Sequence, residues 1–395
     1  MQRLLIFGTL LLIAQVSSPQ CGASPTSPVV TAANNVLPVA VNAGPTNESL
    51  NQIFATVTIC VPGTSNCQSI GGILVDTGSV GLRILSSAVT LPLPQQMGGG
   101  GAPVVECLPF LDSVTWGPVQ TADVRLSGEQ ASGIPIQLIG TDKFPTVPRG
   151  CSSQNPPEET LNDLSANGIL GIGPVRYDCA NGCTFTGPSN LGYYYTCPAA
   201  GTCAVTTEPL ASQVQNPISL FAADNNGVAI QLPIVPTGGA PSIAGVVIFG
   251  IGTQSNNSLG SAKVFRLDAN ANFTTTFNNI PYPNSFIDSG SNGIFFLDAA
   301  TTGLPKCKNN IGFYCPPALR TLSATQVGTN GTTNTVAFNA GNLDNISVIF
   351  SAIGEATGEQ PGGFDWGLPF FYGRTIFTAI DGQSTPGGNG PYWAY

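Results

Sequence analysis

The chain has 395 residues, enough for one two-lobed unit or two domains of about 150–200 residues each, and 42% of them are hydrophobic, enough to build a core. Only 8% are charged and the net charge is −9, with twelve thinly spread basic residues whose densest grouping is Lys306-Cys307-Lys308; phosphate backbones need clustered Lys and Arg, so nucleic acid is excluded as a partner. There is no histidine, which excludes Ser-His-Asp and Cys-His catalysis and His-ligated zinc, and leaves carboxylates, Lys, Ser or Cys for any hydrolytic chemistry.

Met1-Gln2-Arg3 precedes an apolar run over 4–16, which reads as a secretory signal peptide within residues 1–23. Cys21, after Ser18-Pro19-Gln20, stands where a lipoprotein carries its lipidated cysteine; cleavage after Ala23 is the alternative. No other apolar run approaches the 18 or more residues of a membrane span, so a membrane is expected as a partner only through a lipid anchor at Cys21. Residues 24–47, rich in Pro, Ser, Thr, Ala and Asn, read as an extended tether.

The body that follows reads as all-β. Residues 53–59 (IFATVTI) alternate as a strand does, Pro62-Gly63 turns the chain, and 73–75 is the next apolar run. Similar runs recur at 122–126, 134–139, 245–249, 286–287 and 375–380, while helices are expected only as short pieces near 160–164 and 210–214. The 48 Gly and 33 Pro supply turns between them.

Setting Cys21 apart leaves an even ten cysteines, which in an exported chain implies up to five disulfides. Short spacing pairs Cys60 with Cys67 and Cys307 with Cys315, and Cys107 with Cys151 closes a longer loop. Cys179, Cys183, Cys197 and Cys203 leave three connectivities open, or a four-thiolate zinc site. Residues 177–203, which hold these four, read as a stapled surface loop.

Residues 74–85 (LVDTGSVGLRIL) align without a gap on 286–297 (FIDSGSNGIFFL). The agreement at Asp, hydroxyl, Gly, Ser, Gly and Leu, each copy behind an apolar run, implies a duplicated lobe, with boundaries at 48–205 and 206–395. Each strand delivers an Asp, Asp76 or Asp288, into a tight turn. Thr77, Gly78 and Ser79 support the first, and Ser289, Gly290 and Ser291 the second. If the lobes face each other, the two carboxylates meet within roughly 2.6–3.5 Å. Two carboxylates that close cannot both ionise, so they share one proton, the state suited to activating water with neither metal nor cofactor.

On these motifs the chain resembles the pepsin-like aspartic peptidases over about residues 50–395. Residues 167–173 (NGILGIG) resemble the apolar-apolar-Gly segment beside the first motif, 245–253 (GVVIFGIGT) the strand opening the second lobe, and 366–381 (WGLPFFYGRTIFTAID) the C-terminal counterpart. Its nearest likeness is to an uncharacterised bacterial exported family. The resemblance implies a bilobal acid-protease fold and a cleft-covering hairpin near 110–116, with Phe110 or Trp116 over the cleft where the family usually has Tyr. It also sets Arg83 where the family often has Trp, and Asp365 where an apolar residue is usual. The expectation is a monomeric exported endopeptidase of the periplasm, cell surface or exterior acting on polypeptides. The rival is a binding or inhibitor protein on the same fold that takes a surface ligand.

Overall fold

The structure is a computed structural model and describes residues 33–395 apart from 154, 199–201 and 348. The expected signal peptide, Cys21 and the first part of the expected tether lie outside the described residues. The rest is built of strands, and no helix among the described residues exceeds four residues. One sheet has fifteen strands and a second has seven.

The β runs read from the sequence fall in strands, except that Ile380 lies one residue past the end of Arg374–Ala379. Ile53–Cys60 pairs antiparallel with Cys67–Asp76, and the long hairpin Val114–Leu126 with Glu129–Ile139 closes the N-terminal lobe. Period-2 alternation turns Val57, Ile59, Val124 and Ile136 inward, where they are buried in one apolar core. The seven-stranded sheet spans residues 273–366 and carries an aromatic stack, with Phe364 between Phe296 at 5.2 Å and Trp366 at 5.6 Å. The short helix at Leu161–Leu164 is fixed by a reciprocal cap: Thr160 Oγ1 accepts the Asp163 N–H, and Asp163 accepts the Thr160 N–H.

Two expectations need correction. The tether does not extend to residue 47, because Val36–Val41 is a strand. It pairs antiparallel with Ile243–Phe249 along its whole length and with Ile53–Cys60 at Ala40 and Val41. Leu37, Val39 and Val41 are buried on one face, so a segment that looks loop-like by composition is held by alternation. Through this strand the sheet continues into Gly227–Leu232, Arg374–Ala379 and Tyr392–Ala394, so hydrogen bonding does not divide at residue 205.

The region 177–203 is also not simply a surface loop. Tyr194–Thr196 adds to the strand Val104–Pro109, and Tyr194, Tyr195 and Cys183 are buried. All five disulfides are formed: Cys60–Cys67, Cys107–Cys151, Cys179–Cys183, Cys197–Cys203 and Cys307–Cys315. The four cysteines left open by spacing therefore pair as near neighbours, and their sulfurs are not free to hold zinc.

Candidate active site

The two Asp motifs are built alike. Cys67–Asp76 ends in the Thr77-Gly78-Ser79 turn, and Ile280–Ile287 ends in Asp288-Ser289-Gly290-Ser291. A parallel strand runs beside each. Gly168–Ile172 sets Ile169 opposite Leu74 and Gly171 opposite Asp76. Gln360–Trp366 sets Asp365 opposite Phe286 and Trp366 opposite Ile287. Gly171 must be glycine, since a Cβ there would lie 2.5 Å from the Val80 backbone.

The turns are bolted to each other by exchanged hydrogen bonds. Thr77 N–H donates to Ser289 Oγ at 3.1 Å, and Ser289 N–H donates to Thr77 Oγ1 at 2.9 Å. Each hydroxyl then donates across the interface, Ser289 Oγ to Val75 O at 2.7 Å and Thr77 Oγ1 to Ile287 O at 3.3 Å. Thr77 and Ser289 are fully buried, so these groups have no water to fall back on.

This clasp brings the carboxylates together. Gly78 N–H lies 2.7 Å from Asp76 Oδ1 and 3.0 Å from Asp288 Oδ1, and Gly290 N–H donates to Asp288 Oδ1 at 2.7 Å. Asp76 and Asp288 are within hydrogen-bond reach of each other. Ser79 Oγ donates to Asp76 Oδ2, and Ser291 Oγ lies 3.0 Å from Asp288 Oδ2. A Cβ on Gly78 would sit 2.6 Å from Asp288 Oδ2, and one on Gly290 2.6 Å from Asp76 Oδ1. Each glycine thus leaves the space that the opposite carboxylate fills. Desolvation, the charge of Asp76 and the charge of Asp365 hold Asp288 well above the usual carboxylate range.

The pair lies in a cleft of about 960 Å³ lined by both lobes. Over it hangs the tip of the hairpin formed by Val104–Pro109 and Val114–Leu126, from Phe110 to Ser113, closed by Phe110 N–H to Ser113 O at 2.8 Å. Phe110 lines the cleft as expected. Trp116 does not, and that candidate is withdrawn: it is fully buried, donates through Nε1 to Phe144 O at 2.9 Å and meets the Tyr195 ring edge-on at 5.3 Å. Its position in the strand turns it away from the cleft into a separate core with Val105 and Cys151.

Arg83 and Asp365, marked in the sequence only as departures from the family pattern, have settings that sequence reasoning missed. Arg83 is fully buried and bonded to Glu106 Oε1 at 2.6 Å and Asp178 Oδ2 at 3.1 Å. Tyr194 OH donates to Asp178 and accepts the Val214 N–H at 2.8 Å, which extends the buried polar network. Burial alone would lower the Arg83 pKa, but the charges of Glu106 and Asp178 more than offset it, and the guanidinium stays charged. Asp365 is 1% exposed and on the cleft wall, and its Oδ2 lies 2.5 Å from Ser291 Oγ. Burial raises its pKa to about 8 against the lowering effect of Ser291, with the charge of Asp76 adding to the rise.

The fold is the bilobal all-β architecture of pepsin-like proteins. The chain is similar to the crystal structure of the aspartic proteinase from Irpex lacteus, with a TM-score of 0.50 and 15% identity, covering 91% of this chain and 96% of that one. The chain belongs to the family described as protein of unknown function (DUF3443), whose model matches residues 31–395. A comparison with curated proteins found no match.

Proposed function

We propose that the chain is an exported endopeptidase that hydrolyses polypeptides with Asp76 and Asp288 as its catalytic pair. The observation that carries this reading is the mirrored geometry of the pair: two carboxylates in hydrogen-bond reach, each held by its own glycine N–H and serine hydroxyl, on the floor of an open cleft. The family likeness in the motifs supports the same assignment.

One proton is shared by the pair, and desolvation together with the charges of Asp76 and Asp365 favours its residence on Asp288. Asp76 takes a proton from water as the water oxygen bonds to the peptide carbonyl carbon, and Asp288 donates its proton to the carbonyl oxygen. Collapse of the tetrahedral intermediate breaks the C–N bond: the proton on Asp76 passes to the leaving amine, and the hydroxyl that re-forms the carbonyl returns its proton to Asp288, restoring the starting state. Thr77 and Ser289 hold the two turns in register, and Phe110 covers the substrate. Five disulfides support export to an oxidising compartment.

The test is cleavage of an unfolded polypeptide by the purified protein from about pH 3 to 7, the range in which a shared-proton dyad works. Asp76→Asn and Asp288→Asn should each lower kcat/KM by roughly 10² to 10⁴ without unfolding the protein, and the double variant should add little. Cleavage retained by either single variant would place the activity elsewhere. A parent inert on every substrate across this range would favour a binding protein on the same fold.

A further inference from the structure

The two halves of the site differ in charge at one register position of the flanking strands. The strand beside Asp76 presents Ile169 to the cleft, whereas its counterpart beside Asp288 presents Asp365 at the same register. Ser79 therefore serves one carboxylate, and Ser291 stands between two, 3.0 Å from Asp288 Oδ2 and 2.5 Å from Asp365 Oδ2. A serine hydroxyl has one hydrogen. Both contacts are hydrogen bonds only if Asp365 or Asp288 also carries a proton to give to Ser291 Oγ. Asp365 Oδ1 is buried without a hydrogen-bond partner, a poor environment for a full carboxylate charge.

We infer that Asp365 is a positioning residue that makes the site a three-carboxylate system, linked to Asp288 through Ser291, and that it keeps the catalytic pair loaded with its proton toward neutral pH. The inference rests on the proposed peptidase reading for its kinetic consequence, but not for the proton sharing itself. With two protons among the three groups, Asp365 is neutral and donates to Ser291, which donates to Asp288. With one proton left, Asp365 is ionised beside the pair, and its negative charge raises the pair's affinity for that proton. The pair holds one proton in both states, and the ionised Asp365 moves the loss of that proton to a higher pH than in a two-carboxylate site.

The surroundings supply no cation to cancel this. Asp365 lies between the strand Ile280–Ile287, which faces it with Phe286 and leads into Asp288, and the strand Ile294–Leu297, which faces it with Phe295. Asp76 faces it from the other lobe. The remaining ionisable groups lining the cleft are Asp112, Glu158, Asp163, Asp178, Tyr193 and Glu359, and no Lys or Arg lines it among the described residues. Glu359, next along the chain from Gln360, is paired with Lys306.

The experiment is a titration of the aspartate carboxyl carbons by NMR in the parent protein, in Asp365→Asn and in Asp365→Ile, the last copying the other lobe. The parent should show Asp76, Asp288 and Asp365 titrating as coupled curves, with the last proton lost well above the ordinary carboxylate range. Both variants should lose the pair's last proton at a pH lower by about one unit or more, the size of effect expected from removing an adjacent like charge. The alkaline limb of kcat/KM should move down by the same amount, which a merely structural role for Asp365 would not produce. The inference is overturned if Asp365 titrates in the ordinary range independently of the pair, or if the variants' last step or alkaline limb superimposes on the parent's. A parent without peptidase activity would end the peptidase reading, while the titration would still decide the proton sharing.

Discussion

Arg83 carries a full charge into the N-terminal lobe, on the strand that leaves the Asp76 turn. Its worth lies less in the pair attraction than in what its loss would leave behind: Glu106 and Asp178, both buried and unpaired. Arg83→Met should destabilise the protein by about 3–5 kcal/mol at neutral pH, the usual cost of stranding buried charges, measured by denaturant unfolding. The deficit should shrink as pH falls and the stranded carboxylates take up protons. An equal loss at pH 4 and pH 8 would mean that packing, not charge, sets the cost. None of this was legible in the sequence beyond an Arg in an unusual place, because the partners lie 23 and 95 residues away. Asp76 and Asp288 were legible because duplication wrote the same turn twice. Asp365 appeared only as a departure from an apolar position, and its link to Ser291, 74 residues distant, needed the folded strand pairing.

At the scale of elements, the cleft-covering hairpin is tied down at its base. Cys107 on its first strand is bonded to Cys151 in the short helix Arg149–Ser152, 44 positions further along the chain. Replacing both cysteines by serine should lower stability by roughly 2–4 kcal/mol, as expected for releasing a loop of this length, and a shift in the denaturant midpoint would report it. An unchanged midpoint would show that the core around Trp116 fixes the hairpin alone. The hairpin was expected only through the family resemblance, and its facing was not readable at all. A strand's side chains alternate, so Phe110 and Trp116 can be assigned to cleft or core only when the register with Cys107 is known. Val36–Val41 was missed for a related reason: Pro38 and its Pro- and Asn-rich setting outweighed an alternation only six residues long.

For the whole molecule, the buried acids set the pH dependence of stability. Burial raises Asp178, Asp288, Glu158 and Glu159, takes Glu208 to about 7 and Asp365 to about 8. A carboxyl with a folded pKa above its unfolded value binds more protons when folded, so its contribution is complete below the unfolded pKa, near 4, and is lost as pH rises through the folded value. The melting temperature should therefore be highest near pH 4–5 and fall by several degrees or more toward pH 8. Glu208→Gln should flatten part of that decline between about pH 5 and 8. A melting temperature that rises from pH 5 to pH 8 would contradict this picture.

The strand Val36–Val41 also orders events in time. Its longest ladder is with Ile243–Phe249, more than two hundred residues later in the chain. During synthesis or passage across a membrane from the N-terminus onward, this strand emerges early and waits as a sticky edge until its partner arrives. The two Asp turns are separated by a similar stretch of chain, so the cleft between them closes late in the birth of the molecule. Such a chain has no working fragment to release midway. Until that partner exists, the early strand presents an open edge that other chains could pair with.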